Sequence, residues 1–76
     1  MLGDISSANH IYLVTDYTNM RKSIDGLMAI VRDTYELDPY SNSVFLFCGR
    51  RDDRIKVLHY EKDGFCLLYK RLEKGN

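Results

Sequence analysis

The stretch Arg50-Arg51-Asp52-Asp53-Arg54-Ile55-Lys56 concentrates cations and sets two aspartates among them. Two further groups repeat the pattern: Arg21-Lys22, and Lys70-Arg71 with Glu73 and Lys74. Guanidinium and ammonium groups at this density suit phosphate oxygens or an acidic protein surface. The same residues also suit plain solubilising charge on loops and strand edges, where charge discourages edge-to-edge pairing. The chain has 11 basic and 11 acidic residues and zero net charge. A local patch, and not the whole surface, would therefore attract nucleic acid.

Other chemistries find less support. His10 and His59 are isolated and fall on expected strands, where a packed histidine is the commoner outcome. Cys48 and Cys66 are too few, and spaced too far apart, for a tetrahedral metal site. They read as two small buried thiols in a reducing compartment. The glycines stand singly, without a phosphate-cradling loop, and no serine sits in a nucleophile elbow. No catalytic residue, metal ligand, cofactor or small-molecule substrate is expected, and an enzyme is not the reading. The N-terminus lacks the apolar segment of a signal peptide. VFLFC, the longest apolar run, is far short of the ~20 residues a membrane helix needs. A cytoplasmic location with no membrane contact is the expectation.

These groups need a scaffold. At 76 residues the chain forms one domain at most, and its core is small. Residues 1–9 are polar and small and read as a flexible segment; residues 10–76 read as one α+β domain. HIYLV predicts a strand over 10–14, and TDYTN a turn in which Thr18 or Asn19 can cap the next element. The spacing of Ile24, Leu27, Met28, Val31 and Tyr35 predicts a helix over about 20–35. That would put Arg21 and Lys22 at the wrong end of the helix for a cation. Gly26 would leave room for a strand to pack closely, and Pro39 ends the helical region. SVFLFC (43–48), RIKVLHYE (54–61) and FCLLYKRL (65–72) predict three further strands. The order is β-α-β-β-β: a three-stranded antiparallel meander plus an N-terminal strand, with one helix packed on one face.

Alternation then sorts the side chains. With Asp63-Gly64 as the turn, Lys56 falls opposite Arg71, Leu58 opposite Tyr69 and Tyr60 opposite Leu67. A four-residue link over 50–53 sets Val44, Leu46 and Cys48 beside Ile55 and Val57 on an aliphatic face, the natural partner for the helix. The other face carries Phe45, Phe47, Leu58, Tyr60, Leu67 and Tyr69, rimmed by Lys56 and Arg71. It would be left open to stack unpaired bases, to dock a protein, or to be covered by the first strand or the N-terminal segment.

Three ordered segments, YLVTDYTNMRKSIDGL, LDPYSNSVFLFCGRRDDRIKVL and DGFCLLYKRLEKG, carry a resemblance over nearly the whole chain. The chain resembles the accessory (TnpB-type) protein family of the insertion-sequence-sixty-six class of transposable elements. Thr18, Met20, Arg21, Lys22, Asp25, Gly26, Leu27, Arg50, Arg51, Arg54, Lys56, Asp63, Gly64, Phe65, Lys70, Arg71 and Glu73 match the family motifs. Asn19, Ser23, Asp52 and Tyr60-Glu61 depart from them. The resemblance implies a non-enzymatic accessory protein of DNA transposition that acts beside a separate transposase. Arg21, Lys22, Arg50, Arg51, Arg54, Lys56, Lys70 and Arg71 are then the candidate contacts to element DNA or transposase, with Phe45, Phe47, Tyr60 and Tyr69 on the aromatic face. The alternative is a protein-interaction module, a homodimer or a transposase-docking unit, that uses the aromatic face and touches no nucleic acid.

Overall fold

Branched and aromatic residues form strands where alternation predicts them. The strands are β1 (His10–Val14), β2 (Ser43–Cys48), β3 (Arg54–Glu61) and β4 (Gly64–Arg71). These come from a computed structural model that describes residues 10–51, 53–61 and 63–73. The expectations for residues 1–9, Asp52 and Lys74 lie outside the described residues. The strands form one sheet in the order β1-β2-β3-β4. β2, β3 and β4 make the antiparallel meander, whereas β1 pairs parallel to β2, so the sheet is mixed. A parallel pair needs a crossover connection, and the helical segment supplies it.

That segment covers the apolar spacing from Ile24 but is shorter than the expected helix over about 20–35. α1 runs Ile24–Ala29 and continues as a wider π turn over Ile30–Thr34. The start is delayed because Asn19 closes a turn of its own. Its Oδ1 accepts the Arg21 N–H at 2.9 Å and its backbone oxygen accepts the Lys22 N–H at 3.1 Å. Arg21 and Lys22 therefore precede the helix instead of forming its first turn, although Lys22 stays beside its N-terminal end. At the far end Glu36 takes φ 55, the left-handed conformation that often ends helices. Gly26 does not make room for a strand: a Cβ there would meet the Lys22 side chain at 3.3 Å.

The β2–β3 register agrees with the expected four-residue link, with Cys48 opposite Ile55 and Phe45 opposite Leu58. The β3–β4 register is shifted by two residues. Glu61 pairs with Gly64, so the turn lies one residue earlier than Asp63-Gly64, and Lys56 faces Tyr69 instead of Arg71. No glycine among the described residues takes a positive φ, so Gly64 starts a strand and does not form the turn. A shift of two preserves the faces, and the sorting of side chains stands.

The helix, however, covers the other face. Leu27 and Val31 pack with Val14, Phe45, Phe47 and Leu58 in one buried cluster, flanked by Tyr12, Ile24, Met28, Tyr35, Phe65 and Leu67. Phe45 and Phe47 are 1% and 0% exposed. The expected open aromatic face is thus the core. Aromatic rings bury roughly 150–250 Å² each, so covering them removes more apolar surface from water than covering the Val/Leu/Cys face. Alternation puts Ile11, Leu13, Val44, Leu46, Cys48, Ile55, Val57, His59, Cys66 and Leu68 on the second face. Ile11 and Leu13 are exposed there, while Val44, Val57 and His59 are buried.

Candidate functional site

The site begins with the direction of the strands. β1 and β2 end, β3 begins and β4 ends at one edge of the molecule: Val14 pairs with Phe47, Cys48 with Ile55, and Arg54 with Arg71. The loop after β1 folds onto this end. The Thr18 N–H donates to the Cys48 carbonyl at 2.8 Å, and Thr18 is buried. Met20 lies against Gly49 so closely that a Cβ at Gly49 would sit 2.8 Å from Met20 Cγ. Lys56 reaches from β3 to donate its ammonium to the Lys22 carbonyl at 2.8 Å. Across the next link, the Gly49 N–H donates to the Arg54 carbonyl at 3.0 Å, and the Leu72 N–H to the Asp53 carbonyl at 2.6 Å.

The result is a basic end. Arg21, Lys22, Arg50, Arg51, Arg54, Lys56, Lys70 and Arg71 come from separate stretches of sequence and all belong to it. The acids among the described residues there are Asp16, Asp25, Asp53 and Glu73, and two of them accept hydrogen bonds. Asp16 Oδ2 accepts the Tyr35 hydroxyl at 3.2 Å. Glu73 Oε2 accepts Arg71 Nε at 3.1 Å. Asp53 Oδ1 faces Arg54 Nε at 3.9 Å, too far for a hydrogen bond. Arg54 and Arg71 are cross-strand partners, an arrangement that repels. Asp53 and Glu73 each offset one of the two charges.

The eight cations are therefore not equivalent. Lys56 is only 9% exposed, and its ammonium is held by a backbone carbonyl and by the Tyr69 ring, 5.5 Å from its centroid. It organises the end and is not a free contact. Arg54 and Arg71 have acid neighbours. Arg21, Lys22, Arg50, Arg51 and Lys70 have no ion-pair partner among the described residues, and all five are exposed. Away from this end, Arg32 hydrogen-bonds Asp33 at 3.0 Å, and that bond raises its pKa further, so the cation is permanent but neutralised by its neighbour.

The aromatic candidates separate in the same way. Phe45 and Phe47 are core. Tyr60 packs with Tyr40 and Phe65, with centroids at 5.0 and 4.9 Å, at the opposite end of the sheet. Tyr69 alone of the four is well exposed, at 49%. Sequence reasoning missed Tyr17, 60% exposed, with the Arg50 guanidinium 5.8 Å from its ring centroid. It lies in a loop without periodicity, and only the contact across the loops brings it to Arg50.

Among the described residues nothing else competes as a site. Among the described residues no group of His, Cys, Asp and Glu is arranged to hold a metal ion. An apolar cavity of about 60 Å³ between the helix end and β1, lined by Tyr12, Val14, Val31, Tyr35 and Phe45 among others, is far below the ~300–1,000 Å³ of small-molecule sites. No helix among the described residues is long and apolar enough to cross a membrane.

Against known proteins, residues 9–76 match the family model described as IS66 Orf2 like protein. Two proteins of Sinorhizobium fredii, y4hO and y4jC, are each 32% identical to the chain over 65 residues. The match covers 86% of this chain and 56% of each relative, so the chain spans little more than half their length. Both are described only as uncharacterized. No solved structure matches the chain significantly.

Proposed function

We propose, on the premise that the chain belongs to the IS66 Orf2-like family, that it is a non-enzymatic accessory protein of DNA transposition. It acts in the cytoplasm beside a separate transposase, and its basic end contacts element DNA, the transposase, or both. The observation that carries this reading is the convergence of cations from three distant segments on one end of a chain with no net charge. Nothing in folding a small sheet requires that convergence. Of these cations, Arg21, Lys22, Arg50, Arg51 and Lys70 are the direct contacts, because their charges are not already answered by described carboxylates.

The test is binding to the terminal DNA of such an element across a salt series. With about five phosphates engaged, log affinity falls against log salt with a slope near −4.5 for duplex. Arg51→Ala lowers that slope by about one. A flat slope, or no binding at low salt, removes DNA from the reading.

One observation favours a second reading, a protein-interaction module without nucleic-acid contact. Ile11 and Leu13 are 64% and 61% exposed on the second face of the sheet, where a second copy or the transposase would dock. Light scattering and co-purification with the transposase after nuclease treatment test it. A strict monomer that does not co-purify rules it out.

A further inference from the structure

We propose that the basic end is built for unpaired DNA, with Tyr17 and Tyr69 as the surfaces on which bases stack. This rests on the DNA reading above and specifies its ligand. Both rings belong to the same end of the sheet and both are about half exposed, at 60% and 49%. Each has a cation against it: Arg50 at 5.8 Å from the Tyr17 centroid and Lys56 Nζ at 5.5 Å from the Tyr69 centroid. A ring that spends one side on a cation and remains half exposed keeps surface for a base.

Both rings are also held. Tyr69 sits on β4 directly across from Lys56, and the Lys56 ammonium is fixed on the Lys22 carbonyl at 2.8 Å. Tyr17 precedes Thr18, which is buried and bonded to the Cys48 carbonyl at 2.8 Å. A ring positioned in advance loses little entropy when a base arrives. Exposed aromatics interleaved with cations are what single strands need, because every unpaired base offers a flat face and every step a phosphate.

Duplex DNA fits less well. Its base faces are already stacked, and sequence readers of the major groove insert a helix or a β-ribbon. The one described helix is packed on the sheet through Leu27 and Val31. Its exposed side carries Asp25, Asp33 and an Arg32 already bonded to Asp33, a poor match for phosphates.

The test compares a labelled single-stranded oligonucleotide with its own duplex by fluorescence anisotropy at low salt. The single strand should bind at least about tenfold tighter. Tyr17→Ala and Tyr69→Ala should each weaken single-strand binding by roughly 5- to 150-fold, as loss of one stacked base does, and should barely alter duplex binding. Tyr17→Phe and Tyr69→Phe should keep the affinity, which separates stacking from the hydroxyl. Arg51→Ala should weaken both DNA forms. Circular dichroism of each alanine variant confirms the fold. Equal or tighter duplex binding overturns the stacking proposal while leaving DNA contact in place, as do tyrosine variants without effect on the single strand. Failure to bind either form overturns both.

Discussion

Gly49 shows how a single hydrogen atom can hold two loops together. It has no positive φ, so its requirement is steric: a Cβ would lie 2.8 Å from Met20 Cγ, in the middle of that side chain and not at its flexible tip. Gly49→Ala should therefore destabilise the fold by about 1–3 kcal/mol, the usual cost of overpacking. Met20→Ala should absorb most of that cost, and urea denaturation of both single variants and the double variant measures the coupling. Lys56 has a structural role of a different kind. Lys56→Met keeps the apolar stem but removes a charge-assisted bond to the Lys22 carbonyl, a loss of about 1.5–3 kcal/mol visible in the same denaturation experiment. The salt slope of DNA binding should not change, because that ammonium is already satisfied internally. An altered slope would return Lys56 to the contact surface. Lys56 and Arg54 read alike in sequence, because charge type alone cannot separate an internal tether from a free contact. That distinction depends on what lies opposite, and the partner is the backbone of Lys22, far away along the chain.

At the level of elements, alternation was a good guide to strands and faces because it is local: residues two apart share a side whatever the rest of the chain does. Val44, Leu46 and Cys48 do share a face with Ile55 and Val57, as expected. Alternation does not say which face receives the helix, and the aliphatic expectation was wrong because Phe45 and Phe47 offer more area to bury. The helix start was misread for a similar reason. The expected start at about residue 20 lies ahead of Ile24, the first residue of the apolar spacing, and there the Asn19 side chain competes for the backbone. The helix end carries its own test. Glu36 adopts φ 55, where a side chain is strained and glycine is not. Glu36→Gly should stabilise the protein by about 0.5–1 kcal/mol, the residual left after glycine's greater unfolded-state entropy. In a domain of this size a 1 kcal/mol gain raises Tm by about 4–8 °C. A lower Tm would mean that Glu36 contributes through its side chain.

Across the whole molecule, the basic end was legible only in pieces. Arg50, Arg51, Arg54 and Lys56 are neighbours in sequence, and Lys70 and Arg71 join them through strand pairing that the hairpin lengths imply. Arg21 and Lys22 join through the Thr18–Cys48 bond and the Met20–Gly49 contact, which no local pattern encodes. Tyr17 was illegible for the same reason. The parallel pairing of β1 with β2 has a consequence for how the molecule opens. β3 and β4 are joined by a two-residue link, whereas His10 must find Ser43 across the whole helical crossover, and closing that loop costs more entropy. Among the described strands, β1 has β2 alone as a neighbour. It should therefore be the last strand to dock and the first to detach, as a unit separate from the meander. Native-state hydrogen exchange should show the β1 amides that bond to β2 exchanging through a partial opening, well before those between β2 and β3. If both sets exchange only by global unfolding, β1 is an integral part of one cooperative unit. If they separate, the strand that carries Ile11 and Leu13 can leave the sheet while the hairpins that hold Arg50, Arg51, Lys70 and Tyr69 remain folded.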